Sequence, residues 1–303
     1  MKIGIDIGGS HIASGIVTDD GKVIGKEYKD INITELMDEK EIEEFLIETI
    51  KQEIECLLIR YDYNTSDISK IGIAIPGDTT GNIIKNAVNL HIKNFDIIGR
   101  MHEIYNVEIK VKNDGKCAGM AEKKFGNLKP YNDAVFLCIG TGVGSAVFIN
   151  NKLLEPSQAT GFELGHIVIN KNGKECNCGN RGCFETYASM KKFKKNAIQK
   201  LKLPQSIEAA QVQYYIRENQ EKSEVEEFVD SYLDDVAIGI SNIINIFEPE
   251  AIAFGGSFSY YSDIFLEPLE EKVRKIKFNK YTNTKLIQAK FQNDAGIVGA
   301  TEI

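Results

Sequence analysis

One pattern occurs twice in this chain, at widely separated positions. With Gly8 aligned on Gly140, IGIDIGGSHIASGIVTDDGK is matched by FLCIGTGVGSAVFINNK. In both copies an apolar strand meets a glycine turn, a second apolar strand follows, and a polar turn comes next. A duplicated hairpin predicts an α/β chain of two lobes built on one plan, each presenting a glycine turn toward a shared cleft. Chance likeness of two β-hairpins is the alternative. Asp6 falls opposite Cys138, so only the first copy carries an acid. The length of 303 residues exceeds one core of ~100–200 residues, which also favours two lobes. No linker rich in Pro, Gly or Ser separates them. We place the boundary near residue 112: an N-terminal lobe over 1–112, rejoined by a C-terminal helix over 293–303, and a C-terminal lobe over 113–292.

The patterning supports this division. Residues 2–29 read as a three-stranded meander, with turns at Gly8-Gly9 and Asp19-Asp20-Gly21. Residues 35–60 read as an amphipathic helix with Ile42, Phe45, Leu46, Ile50, Ile54, Leu57 and Leu58 on one stripe. Strands are expected at 70–75, at 107–112 and over 134–154. Asn113-Asp114-Gly115 opens a helix that Gly126 ends. Helices are expected at 185–202 and 224–247, and AIAFGG at 251–256 reads as a strand entering a glycine turn.

The net charge is -8 at pH 7, which argues against nucleic-acid or anionic-membrane partners, because phosphates need clustered Lys and Arg. The densest basic run, Lys191-Lys192-Phe193-Lys194-Lys195, reads as a solvated helix face. No apolar stretch approaches the ~18 residues of a membrane span, and no signal peptide is evident. A cytoplasmic location is therefore expected, and with it reduced thiols. Cys56, Cys117 and Cys138 lie among apolar neighbours and read as buried thiols.

Three places carry chemistry. Glycine turns let backbone N–H groups approach phosphate oxygens without a Cβ in the way. The first turn is Asp6-Ile7-Gly8-Gly9-Ser10-His11, whose acid suits Mg²⁺ or a water; the second is Ile139-Gly140-Thr141-Gly142-Val143-Gly144. With Gly255-Gly256 they would line an ATP cleft; read singly, each is a tight turn. The sequence has no G-x-x-x-x-G-K-[ST], so it is not a P-loop protein. Asp114, beside Asn113 at a strand-to-helix junction, is either a helix cap or the carboxylate that orients and deprotonates an attacking alcohol. Finally, Cys176, Cys178 and Cys183 fall within eight residues, and His166 lies ten residues before the first. Three thiolates and an imidazole suit a closed, structural Zn²⁺ site; a redox thiol cluster is the alternative. Such a site would pin Glu163 and Glu185, which flank it and could accept hydrogen bonds from sugar hydroxyls.

Across nearly its whole length the chain resembles the ROK family of sugar kinases and repressors. DIGGSH resembles that family's first phosphate loop and IGTGVGSAVFINNKLL its second. NDGKCAGMAEKKFG resembles the segment bearing the catalytic aspartate, and ELGH with CNCGNRGCFE the zinc signature. FGGSF resembles the adenosine-side turn and NDAGIVGA the C-terminal helix. The resemblance implies an actin-like ATPase (ribonuclease H-like) duplication, with two lobes around a central cleft. It also implies an ATP:sugar phosphotransferase using ATP with Mg²⁺, one structural Zn²⁺, a small-molecule sugar partner and a homodimer.

The implied roles transfer by position. Asp114 is the base. Gly77, Asn89, Asn113, Glu163, His166 and Glu185 bind sugar, His166 also ligating zinc with Cys176, Cys178 and Cys183. Asp6, Gly8, Gly9, Ser10, His11, Gly140, Thr141, Gly142, Gly144, Gly255 and Gly256 face the nucleotide. His11 stands where Lys is common and Ser10 where Thr is. Phe162 and Pro156 replace usual glycines, and His91 a Trp frequent in glucokinases. Glucose is the first expected substrate, with N-acetylmannosamine, fructose, allose or a β-glucoside as alternatives. A non-catalytic sugar sensor is the alternative of another class. The family's helix-turn-helix is not expected, since the first loop begins at residue 3.

Overall fold

A computed structural model describes residues 1–33, 37–157, 161–278 and 283–303. It divides into two units, Met1–Lys129 with Leu154–Phe162 and Asn293–Ile303, and Pro130–Leu153 with Glu163–Gln292.

In the first unit, β1 (Lys2–Ile7), β2 (His11–Val17) and β3 (Val23–Asp30) form the expected meander. The helix α1 (Glu39–Arg60) follows. Its start is set by a capping box: the Asp38 carboxylate accepts the Glu41 N–H at 2.9 Å and the Glu41 carboxylate accepts the Asp38 N–H at 2.9 Å. The helix was expected from residue 35; residues 34–36 lie outside the described ones. Ile42, Leu46, Ile50, Ile54 and Leu57 are each at most 1% exposed. Burial of that stripe, at ~1.5–3 kcal/mol per side chain, holds the helix to the sheet. Cys56 points away from it and is exposed, contrary to expectation.

The strand β4 (Lys70–Ile75) leads into a small antiparallel sheet, β5 (Asp78–Thr80), β6 (Ile83–Ala87) and β7 (Ile92–Phe95). After α2 (Ile97–His102) come β8 (Glu108–Asn113) and α3 (Asp114–Phe125). The main sheet has the order β3-β2-β1-β4-β8, with β1, β4 and β8 parallel.

The second unit repeats the plan. The strands β9 (Ala134–Ile139), β10 (Val143–Ile149) and β11 (Lys152–Leu153) are antiparallel. The helices α4 (Glu185–Ala188), α5 (Met190–Lys200), α6 (Ala209–Glu218) and α7 (Ser223–Phe247) intervene before β12 (Ala251–Gly255). Then follow α8 (Ser262–Ile276) and β13 (Lys285–Gln288), giving the order β11-β10-β9-β12-β13. Here β9, β12 and β13 are parallel, as β1, β4 and β8 are in the first unit. The helix expected over 185–202 is two, broken at Ser189, whose ψ of 140 is extended.

The last helix, α9 (Ala295–Ala300), belongs to the first unit and packs against β1, β4 and α3. The approach is backbone to backbone: a Cβ on Gly4 would overlap the Ile297 carbonyl, and one on Gly72 the Ala300 carbonyl. Because α3 packs on α9, the first unit extends to Lys129, past the expected boundary at residue 112. Leu154–Phe162 joins it too, with the Glu155 carboxylate on the Lys112 ammonium at 2.5 Å. No helix among the described residues is long and apolar enough to cross a membrane.

Candidate functional site

The first unit gathers the acidic candidates. Asp6 is the penultimate residue of β1, and Asp114 is the first of α3. The Asn113 side chain caps that helix: its carbonyl oxygen accepts the Lys116 N–H at 3.2 Å. Its amide donates to the Gly77 carbonyl at 3.1 Å, which ties the Pro76-Gly77 turn to the start of α3. So Asp114 sits beside the cap rather than being it. Its carboxylate accepts the Gly115 N–H at 2.7 Å.

Burial and the Asp114 charge push the Asp6 carboxyl up to about 7, with Lys26 opposing. Burial likewise raises Asp114, against the Gly115 N–H that favours its charged form. The two carboxylates therefore share one poorly solvated place. The α9 helix forms its wall, since a Cβ on Gly296 would overlap the Asp6 carboxylate.

The turn between β1 and β2 is closed by the Gly8 N–H donating to the His11 carbonyl at 2.8 Å. Gly9 and Ser10 are exposed, and the His11 ring stacks on Tyr28 with centroids 5.0 Å apart. Asn89 lies near this turn, its Cβ 3.9 Å from where a Gly9 Cβ would stand.

Two groups near the acids went unread in the sequence. Lys26 pairs with Asp294 at the start of α9. Burial pushes the Asp78 carboxyl up while Lys116, only 7% exposed, pulls it back. A lysine two positions after a candidate base was the available signal for the second.

The second unit holds the other candidates. Its glycine turn is closed by the Gly140 N–H on the Gly142 carbonyl at 2.9 Å, with Thr141 exposed at the tip. The break at Ser189 points the start of α5 at this turn, and the Met190 N–H donates to the Gly140 carbonyl at 2.9 Å. The Glu185 carboxylate accepts the Val143 N–H at 2.9 Å, fixing the carboxylate at the turn. Gly144 pairs with Cys138 across β9 and β10, and Gly255-Gly256 follows β12, Gly256 lying against Ile139 and Gly140. Glu163 precedes a short turn of helix in which its carbonyl accepts the His166 N–H at 3.0 Å. Phe162, at the end of the first unit's segment, has φ 60. That left-handed backbone explains why glycine is usual there, at a cost of ~1–2 kcal/mol for Phe.

His166, Cys176, Cys178 and Cys183 converge, with their ligand atoms all within 4.8 Å of one another. Cys176 Sγ is 3.8 Å from His166 Nδ1, and the Cys178 and Cys183 sulfurs are 3.6 Å apart. A tetrahedral Zn²⁺ with its usual bond lengths has ligand–ligand edges of about 3.5–3.8 Å, so the donor set fits that ion. The knuckle is held by the Cys176 N–H on the Asn180 carbonyl at 2.8 Å and the Phe184 N–H on the Ile167 carbonyl at 2.8 Å. Gly182, at φ 75, lets the loop pass over Asn170, whose carbonyl a Cβ would overlap. The ligands thus connect the segment after Glu163 to the segment before Glu185.

Residues 2–303 match the ROK family. A glucokinase from Thermotoga maritima is 28% identical over 318 residues, covering 99% of this chain and 96% of that protein. A xylose repressor from Caldicellulosiruptor bescii is 27% identical over 309 residues, covering 98% of this chain and 76% of that protein. The solved ROK family glucokinase from Streptomyces griseus, in complex with glucose and AMPPNP, superposes with a TM-score of 0.83 at 23% identity, covering 99% of this chain and 98% of that one. The likeness shows the fold: each unit's five-stranded sheet belongs to the duplicated, actin-like ATPase architecture.

Proposed function

The chain belongs to the ROK family, and from that membership we propose that it is an ATP-dependent hexose kinase, with glucose as the first substrate. The observation that carries this reading is the pair of deep-set carboxylates, Asp6 and Asp114, in the first unit. Asp114 accepts the proton of the attacking sugar hydroxyl while the new O–P bond forms and the bridging P–O bond to ADP breaks. Asn113 fixes its position by capping α3. Two crowded carboxylates suit a divalent cation, and Asp6 is the residue that would hold Mg²⁺, directly or through water. When bound, the ion supplies screening of the phosphate charge.

Gly8, Gly9, Ser10, His11, Gly140, Thr141, Gly142, Gly144, Gly255 and Gly256 are assigned to the nucleotide. Gly77, Asn89, Asn113, Glu163, His166 and Glu185 are assigned to the sugar. His166, Cys176, Cys178 and Cys183 would hold a structural Zn²⁺, which would tie together the segments that carry Glu163 and Glu185. Glucose comes first because the Thermotoga maritima glucokinase aligns over 96% of its length. The homodimer and the cytoplasmic location are part of the same reading. ADP release measured across a panel of hexoses and amino sugars tests it, and no sugar-dependent turnover with any of them would sink it. The comparable likeness to a xylose repressor supports a second reading, a sugar sensor without turnover. Sugar binding without ADP release would favour that one.

A further inference from the structure

A third acid stands close to Asp114 and has no role in the kinase reading. The strand β4 ends at Ile75, which pairs with Asn113 on β8. The chain then turns at Pro76-Gly77, with Gly77 at φ 116, and enters β5 at Asp78. That turn is fixed. A Cβ on Gly77 would overlap the Asn86 carbonyl, and Asp78 pairs with Asn86 across β5 and β6. The Asn113 side chain joins the turn to α3: its amide donates to the Gly77 carbonyl at 3.1 Å and its carbonyl oxygen accepts the Lys116 N–H at 3.2 Å. One asparagine therefore holds both the residue before Asp78 and Lys116, and Asp114 follows that asparagine directly.

The other aspartates of this unit show what Asp78 lacks. Asp38, Asp67 and Asp96 accept backbone N–H groups at 2.9, 2.8 and 2.9 Å, and Asp114 accepts that of Gly115. The Asp78 carboxylate is half-buried, yet it accepts no hydrogen bond from the described residues. Lys116 is only 7% exposed, and lysine is seldom so deep without an answering charge. Burial disfavours the charged form of Asp78 and the Lys116 ammonium favours it, although no ion pair closes between the two. The carboxylate is thus held near a cation with its oxygens left to accept from something else.

The chemistry of that something is narrow. A phosphate would be repelled by the carboxylate, and a cationic ligand by Lys116. A neutral hydroxyl donor suits both, since an ionised carboxylate is an acceptor only. We infer that Asp78 is a further sugar-binding residue, whose carboxylate accepts one ring hydroxyl, and that Lys116 is its positioning residue. The inference rests on the assignment of the neighbouring Gly77 and Asn113 to the sugar. It makes Asp78 a determinant of specificity, selecting sugars whose hydroxyl at that carbon is present and free. A sugar lacking it leaves the carboxylate unpaired, which is the larger part of the cost.

Calorimetric binding of glucose to the full chain tests this without turnover, alongside the monodeoxy analogues that lack each ring hydroxyl in turn. A panel sugar that releases ADP more readily takes the place of glucose in the same measurements. Asp78→Ala should bind glucose about tenfold to a hundredfold more weakly, the range for a hydrogen bond to a charged group. In the wild type one analogue should be weakened by a similar factor, and against Asp78→Ala that analogue and glucose should bind alike. Lys116→Met should weaken glucose binding and Lys116→Arg should restore most of it. Thermal midpoints show whether the variants fold, and Asp78→Ala decides the matter if Lys116→Met does not. Equal affinity of the wild type and Asp78→Ala would overturn the inference. So would a loss shared evenly by glucose and every analogue, as a purely structural acid gives, or a wild type that binds none of the sugars. The expected pattern without ADP release would keep Asp78 as a sugar ligand and count against the kinase reading. ADP release without the pattern would do the reverse.

Discussion

At the scale of single residues, the acids decide most. Asp114 was legible as a helix-start carboxylate but not as distinct from the cap; the Asn113 bonds to Lys116 and Gly77 make that distinction. Removing a general base costs roughly 10²–10⁴-fold in rate. Asp114→Asn should therefore lower kcat by that order while leaving the thermal midpoint no lower than the wild type's. Near-normal turnover would mean another group takes the proton. Asp6 gives a stability prediction. Its folded pKa of about 7 lies above its ordinary 3.8, so in that window the folded chain holds the extra proton. The stability present at low pH is therefore lost as pH rises from about 4 to about 7, and Asp114 acts in the same direction. The effect is on the order of a few kcal/mol. In buffer free of metal and nucleotide, the wild-type midpoint should fall between about pH 4 and about pH 7. Asp6→Asn should flatten much of that fall and be the more stable protein at the higher pH; an identical pH profile for the two would disprove the burial argument. Neither the pairing of these acids nor the wall of α9 beside them follows from local sequence, because the partners are remote along the chain.

Among the elements, the knuckle was the most legible, since three cysteines and a histidine at close spacing leave few alternatives. What the spacing did not carry is its connection to the flanking glutamates, or that Glu185 is already engaged by the Val143 N–H. About one zinc per chain is expected by elemental analysis. Cys178→Ala should lose the metal and lower the thermal midpoint, with faster amide exchange over 166–184. A metal-free wild type of unchanged midpoint would refute the site. The α4–α5 stretch reads as one helix because it contains no Gly or Pro to mark a break. The break at Ser189 comes from tertiary contacts, the hydrogen bonds from the start of α5 to Gly140. The small sheet β5–β6–β7 is not legible because its strands are only three to five residues long and show no apolar/polar alternation.

Over the molecule as a whole, the repeat in the sequence corresponds to two sheets of the same order and direction. The extent of each unit was harder to read. A boundary drawn from sequence follows the chain, whereas packing joins Leu154–Phe162 and Asn293–Ile303 to the first unit. Removing residues 293–303 should therefore unprotect β1 and β4, where Gly4 and Gly72 meet α9, and leave β9 and β12 protected. Hydrogen exchange reads both, and protection of 2–7 and 70–75 equal to the wild type's would contradict the packing. The order of synthesis gives this packing a further consequence. Domains tend to fold from the N-terminus as they emerge, at ~5–20 residues per second. Here the segment that walls in Asp6 is translated after all the rest of both units. Until residues 295–300 have been made, Gly4 and Gly72 lack the helix that packs on them. A ribosome that stops before that point releases a chain that has all four knuckle residues and lacks the wall beside Asp6.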